Sequence, residues 1–121
     1  MLRNTFLNKH APGNTQSHKR AKKQEAGLAK RLKGHLTPGS GNKSIKGDVR
    51  VKGIVRIEAK TTQNKSFSVT LKMIEQIENA ALSANELPII AIEFNDGFGN
   101  RLKDICVCPS YVLEALCEKI L

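Results

Sequence analysis

The chain has 121 residues, with 20 Lys/Arg against 11 Asp/Glu, a formal net charge of +9, and aromatics limited to four Phe and one Tyr. That length suits one small domain, whose core must come from Ile, Leu, Val and Ala. No apolar run approaches the roughly 18–20 residues of a membrane span, so a soluble chain is expected.

The charge is unevenly spread. Residues 1–46 hold eleven Lys/Arg and one acid, Glu25, a net of +10, while residues 47–121 hold nine Lys/Arg and ten acids, a net of −1. A block that basic repels itself in isolation and is drawn to a polyanion. Nucleic acid is the expected partner, since the N-terminal half lacks the Trp/Phe/Leu-rich face that would insert beneath lipid headgroups.

In chain order, "MLRNTFLNKHAPGN" is basic without the apolar stretch of a secretory signal, and residues 1–16 read as a disordered basic arm ahead of a folded domain, 17–121. "SHKRAKKQEAGLAKRLKGH" puts Ala21, Leu28, Ala29 and Leu32 on one helical stripe, with Ser17 placed to cap its start and Gly34 to end it. Glu25, the only acid of this half, falls on the same inward stripe. A lone carboxylate there is costly unless it is paired or binds a cation. Lys19, Arg20, Lys22, Lys23, Lys30, Arg31 and Lys33 form the outward face and, with Lys43 and Lys46 of the next segment, are expected to contact DNA phosphates as a group. His10, His18 and His35 fall in the arm or at loop edges, where no catalytic role is expected.

"LTPGSGNKSIKG" is a loop by composition, and it lacks the Gly-Lys-Ser/Thr ending of a phosphate-binding P-loop. "DVRVK" and "IVRIEAKTT" then alternate apolar and basic residues as half-buried strands do, with Lys52-Gly53 as the turn of an antiparallel hairpin. "SVTLKMIEQIENAALSANELP" is the clearest helix, with Leu71, Ile74, Ile77, Ala80 and Ala81 along its apolar stripe and Ser68 or Thr70 as cap. Lys72 and Gln76 lie one turn apart on it, on a face that reads as solvated, and Glu75, Glu78 and Glu86 read as surface acids. "PIIAIEF" suits a central strand buried on both faces. "RLKDICVC" follows as a further strand, and Pro109-Ser110 opens a terminal helix. Cys106 and Cys108 share one strand face; two thiols without a nearby His fall short of a structural zinc site, so all three cysteines read as reduced core residues of a cytoplasmic protein. The whole is an α/β domain, one mixed sheet flanked by helices.

Within the hairpin, Glu58 and Lys60 lie two residues apart and share a strand face, while Ala59 points to the other. Asp48 falls opposite Glu58 if the hairpin closes. Two carboxylates brought together are unfavourable unless a cation neutralises them. Their oxygens and the Ala59 carbonyl suit Mg²⁺, with Mn²⁺ as a substitute. In such a site the ion binds a phosphate and acidifies a water, with Lys60 placed to orient that water or to stabilise charge on the phosphate. The same residues also describe a solvated hairpin.

Gly47-Asp48 … Glu58-Ala59-Lys60, preceded by a helix and followed by a crossover helix and a Pro-led apolar strand, resembles the PD-(D/E)XK nuclease superfamily. Within it, Glu25 on the first helix and "TPGSG" with Ser40 look most like the small archaeal-type and phage-encoded Holliday-junction resolvases. Gly47 stands where that family has proline. The resemblance implies a restriction-endonuclease-like fold and a metal-dependent endonuclease acting on branched or four-way-junction DNA as a homodimer. It implies that Asp48 and Glu58 bind the metal, that Lys60 assists the nucleophile, that Glu25 completes the acidic cluster, and that Ser40 lies near the phosphate. The apolar C-terminal strand and helix are the expected dimer surface. Two other readings stay open: the same chemistry in another repair, recombination or restriction task, and a basic nucleic-acid-binding protein without catalysis.

Overall fold

A computed structural model describes residues 14–37 and 48–120. Ser40, Lys43, Lys46 and most of the expected N-terminal arm lie outside those residues.

Helix α1 (Asn14–Leu32) leads into the short strand β1 (His35–Leu36), and then come β2 (Val49–Val51) and β3 (Val55–Thr62). Helix α2 (Leu71–Leu82), β4 (Leu87–Asn95), β5 (Arg101–Val107) and α3 (Ser110–Ile120) complete the order. The five strands lie in the sheet in chain order, β1-β2-β3-β4-β5. The pairings are antiparallel except β3 with β4, which run parallel because α2 carries the chain back between them.

Strand alternation divides the core in two. Val55, Ile57 and Ala59 of β3, with Ile89 and Ala91 of β4, meet Leu28 and Ala29 of α1 on one face. Ile90 and Ile92 of β4 meet Met73, Ile74 and Ile77 of α2 on the other. β4 is buried nearly throughout, as a central strand covered on both sides must be. Thr70 caps α2, its hydroxyl accepting from the Met73 N–H at 3.2 Å.

Several local expectations shift. The first helix is already formed at Asn14, so Ser17 lies inside it and not at its cap. At its far end Lys33 takes the left-handed conformation (φ 58°) and Gly34 follows, its N–H reaching back to the Ala29 carbonyl at 2.8 Å. Gly34 is required for another reason: a Cβ there would stand 2.5 Å from the Arg50 carbonyl oxygen. The hairpin turn takes in Ile54 as well as Lys52 and Gly53, so β3 begins at Val55. Gly53 supplies the positive φ of 75° that the turn needs.

Two expectations are overturned. All three cysteines are exposed: Cys106 on β5, an edge strand whose outer surface is left largely open, Cys108 just beyond it and Cys117 on α3. Glu86 is buried at 2% exposure and is no surface acid. It accepts from Arg50 at 2.5 Å and 3.0 Å, from Arg56 at 2.9 Å and from the Gly53 N–H at 3.1 Å. The arginines alternating with the hairpin valines therefore face a carboxylate and not water. Burial pushes the Glu86 carboxyl up, but those hydrogen bonds outweigh it and hold it below the usual range. Among the described residues no helix is long and apolar enough to cross a membrane.

Candidate active site

The β2–β3 ladder pairs Val49 with Ile57, Arg50 with Arg56 and Val51 with Val55. Asp48 lies just before that ladder begins, and its N–H donates to the Ile57 carbonyl at 2.7 Å. The Asp48 side chain reaches over to β3, where Oδ2 accepts from the Ala59 N–H at 2.9 Å. Its carbonyl accepts from the Thr37 N–H at 2.9 Å, which ties the end of β1 to the same spot. Asp48 is thus held at both its backbone and its carboxylate.

Glu58 and Lys60 share a strand face, as their spacing requires, and the Lys60 ammonium lies 3.3 Å from Glu58 Oε2. Both line a small cleft with Met73, Gln76 and Ile77 of α2. Gln76, read from its helical position as solvated, therefore borders the site, while Lys72 is exposed and outside the cleft. Ala59 points to the opposite face and packs on the α1 core.

Glu25 comes in from α1. The neighbouring Gln24, 5% exposed, donates from Nε2 to the Lys60 carbonyl at 2.8 Å and the Ala91 carbonyl at 3.2 Å. That contact pins the helix across β3 and β4 at the level of the site. Burial and then the charges of Asp48 and Glu58 push the Glu25 carboxyl up to about 7, with Lys22 opposing more weakly. Three acids from three separate elements therefore lie within electrostatic reach of one another, beside one lysine.

The described residues contain no group of three His, Cys, Asp or Glu side chains gathered closely enough to hold a metal ion outright. The donor chemistry nevertheless fits a hard divalent cation, which takes oxygen ligands and completes its shell with water. Asp48, Glu58 and the Ala59 carbonyl are the groups that would hold it, and Glu25 is the nearby carboxyl whose raised pKa a cation would relieve.

Of the basic residues, Lys19, Lys22, Lys23, Lys30 and Lys33 are exposed along α1. Arg31 is exposed too and reaches Asp104 at 3.3 Å. Arg20 departs from the expected phosphate-contacting role. It grips the buried Glu93 of β4 with two hydrogen bonds of 2.5 Å and donates to the Gly99 carbonyl at 3.2 Å. The Glu93 hydrogen bond raises the Arg20 pKa, overriding burial.

Of the residues that matter, Gln24 and Glu93 are not singled out by the sequence, and Glu86 reads there as a surface acid. Gln24 had a signal, since it sits one turn before Leu28 on the inward side of the helix. Glu86 and Glu93 had only weak ones, being acids at or within a strongly apolar segment. Set against known proteins, the chain matches no family model, no curated protein and no solved structure.

Proposed function

We propose that this protein is a Mg²⁺-dependent DNA endonuclease of the PD-(D/E)XK type, restriction-endonuclease-like in fold, that cuts branched DNA. The observation that supports this best is the Asp48 carboxylate held at 2.9 Å on the Ala59 N–H, next in the chain to Glu58, with Lys60 at 3.3 Å from Glu58 and Glu25 brought in by α1 within reach of both acids. A fold has little reason to converge three acids in a chain this basic unless a cation belongs among them.

A divalent ion bound there supplies Lewis-acid polarisation of a phosphodiester and acidifies water. The chain's own residues do the rest. Asp48 is presented in one orientation by its bonds to Ala59 and Ile57. Lys60 offers its ammonium to a non-bridging phosphate oxygen, where negative charge develops as the bond to the leaving oxygen breaks. Glu25 adds a third carboxyl beside Asp48 and Glu58, whose charges it feels. The exposed lysines of α1 hold the strand through its phosphates and read no bases.

Paired cuts at a four-way junction call for a twofold dimer. Leu102 and Ile105 on β5 and Leu113 on α3 are exposed and supply the apolar surface for one. The free thiols suit a reducing, intracellular compartment.

The test is cleavage of a four-way junction, a linear duplex and a single strand, each in Mg²⁺ and in EDTA. Cutting is expected in Mg²⁺ alone, strongest on the junction. Asp48→Asn and Glu58→Gln are expected to abolish it while leaving DNA binding intact. Full activity in both variants would overturn the assignment of the site, and equal cutting of junction and duplex would overturn the substrate.

A further inference from the structure

A second cleft lies apart from the acidic site. It has a volume of about 470 Å³ and opens at the C-terminal ends of the parallel pair β3 and β4. Lys19 and Lys23 of α1 form one wall, and Thr61, Gln63, Asn64 and Asn95 supply hydroxyl and amide groups to the others. Thr61 lies three residues beyond Glu58, about 10 Å along β3. By strand alternation Thr61 shares the α1 face of the sheet with Ala59, whereas Glu58 and Lys60 face α2, so the cleft and the Glu58–Lys60 pair open on opposite faces of β3.

One rim of the cleft is the turn joining β4 to β5. Gly97 and Gly99 line the cleft, and between them Phe98 stands 89% exposed. In a chain with four Phe, one Tyr and no Trp, this ring stands in water at a loop tip. The turn that carries it is well held. The Asn95 side chain accepts from the Gly97 N–H at 2.9 Å, and Asp96 accepts from the N–H groups of Phe98 at 2.7 Å and Asn100 at 3.1 Å. Arg20 ties the Gly99 carbonyl back to α1. The positive φ values at Gly97 (83°) and Gly99 (96°) are ones an L side chain rarely takes, so the turn depends on glycine at both places.

We propose that a single unpaired nucleotide of a bound DNA strand docks at the mouth of this cleft, its phosphate on Lys19 and Lys23 and its base stacked on Phe98, which stands outside the lining on the rim turn. Phosphate binding alone would need neither the ring nor the amides. An exposed aromatic gives any base a stacking surface, and amide side chains carry both a donor and an acceptor for a base's Watson–Crick edge. The volume lies within the range of small-ligand sites and is ample for one nucleotide. The inference rests on the nucleic-acid part of the reading above and not on its cutting chemistry. It identifies an unpaired base as the feature recognised.

The experiment compares a fully paired duplex with one of the same length carrying one unpaired nucleotide, both in EDTA so that no cutting intervenes. The wild-type protein is expected to bind the second about tenfold more tightly, and Phe98→Ala to erase that preference. Phe98→Trp should retain it and, as the chain's sole Trp, report the stacking by quenched emission on the unpaired duplex only. Lys19→Ala with Lys23→Ala should weaken binding of the duplex with the unpaired nucleotide more than that of the paired one. An undiminished preference in Phe98→Ala would overturn the proposal, as would unchanged emission from Phe98→Trp. Quenching by a free mononucleotide as strong as by the strand would overturn the assignment to a strand. Failure of Mg²⁺-dependent cutting would leave these binding results intact, so the two readings fail separately.

Discussion

The Gln24 side-chain amide donates to the Lys60 main-chain carbonyl at 2.8 Å, joining the helix that carries Glu25 to the strand that carries Glu58 and Lys60. The bond crosses from one layer of the fold to the next and lies at the level of the acidic cluster. Gln24→Ala is expected to cost about 1–3 kcal/mol of stability, because two buried carbonyls lose a donor. It is also expected to lower kcat more than DNA affinity, since Glu25 is then less well positioned. Denaturant unfolding and single-turnover cleavage check the two halves of this expectation.

Glu25 makes the metal-free fold sensitive to pH. Its carboxyl is raised from 4.5 to about 7, so ionising it is harder in the folded chain than in the unfolded one. The stability this represents is complete below about 4.5 and is lost as pH rises through about 7. Glu25→Gln in EDTA is therefore expected to stabilise the protein at pH 8 by about 2 kcal/mol, after allowance for solvent screening, and to change little at pH 4. Thermal unfolding of both proteins across that interval measures it.

A cation should stabilise the fold without any substrate present. Mg²⁺ at about a hundred times its dissociation constant is expected to add about 2.7 kcal/mol to unfolding. The gain should vanish in Asp48→Asn and Glu58→Gln. Mg²⁺ should also lower the pH at which Glu25 titrates, as nuclear magnetic resonance of that carboxyl would reveal.

Glu86 is the anchor of the hairpin. Removing it leaves Arg56, 7% exposed, and the half-buried Arg50 without their carboxylate. Glu86→Ala is expected to destabilise by about 3–5 kcal/mol. Its pKa is held low in the fold, so the stability it contributes is present above the normal carboxylate range and is lost as pH falls. The variant's stability should accordingly fall less than the wild type's on acidification, as followed by circular dichroism.

Arg20 and its neighbours on α1 should separate by assay. Arg20→Ala leaves Glu93 buried at 2% exposure without its guanidinium, so its effect is expected on stability, by about 3 kcal/mol or more. Lys22→Ala and Lys30→Ala, on exposed positions, are expected to leave unfolding unchanged and to reduce the salt dependence of DNA binding by about one unit of slope each.

What the sequence determined by itself was local. Period-two alternation and a glycine turn bring Asp48 back to β3 within ten residues of chain, where it meets Ile57 and Ala59 on either side of Glu58, and Glu58 beside Lys60 follows from the pleat. The inward position of Glu25 follows from helical spacing in the same way, as do the α2 cap and the buried run of β4. These features depend on short separations, where backbone geometry leaves few choices. Tertiary structure decided which charges are paired and which faces are covered. Arg20 meets Glu93 across 73 residues, and Arg50 and Arg56 meet Glu86 across 36 and 30. No alternation pattern distinguishes an arginine facing water from one facing a buried carboxylate. The exposed Cys106 thiol has the same origin: β5 reads as apolar from its residues, but an edge strand with little packed on its outer surface stays open. Phe98 is the converse case, an apolar residue kept in solvent because a turn of two left-handed glycines directs the chain away from any core. Burial depends on what else arrives at a surface, and that is settled by contacts far apart in the chain.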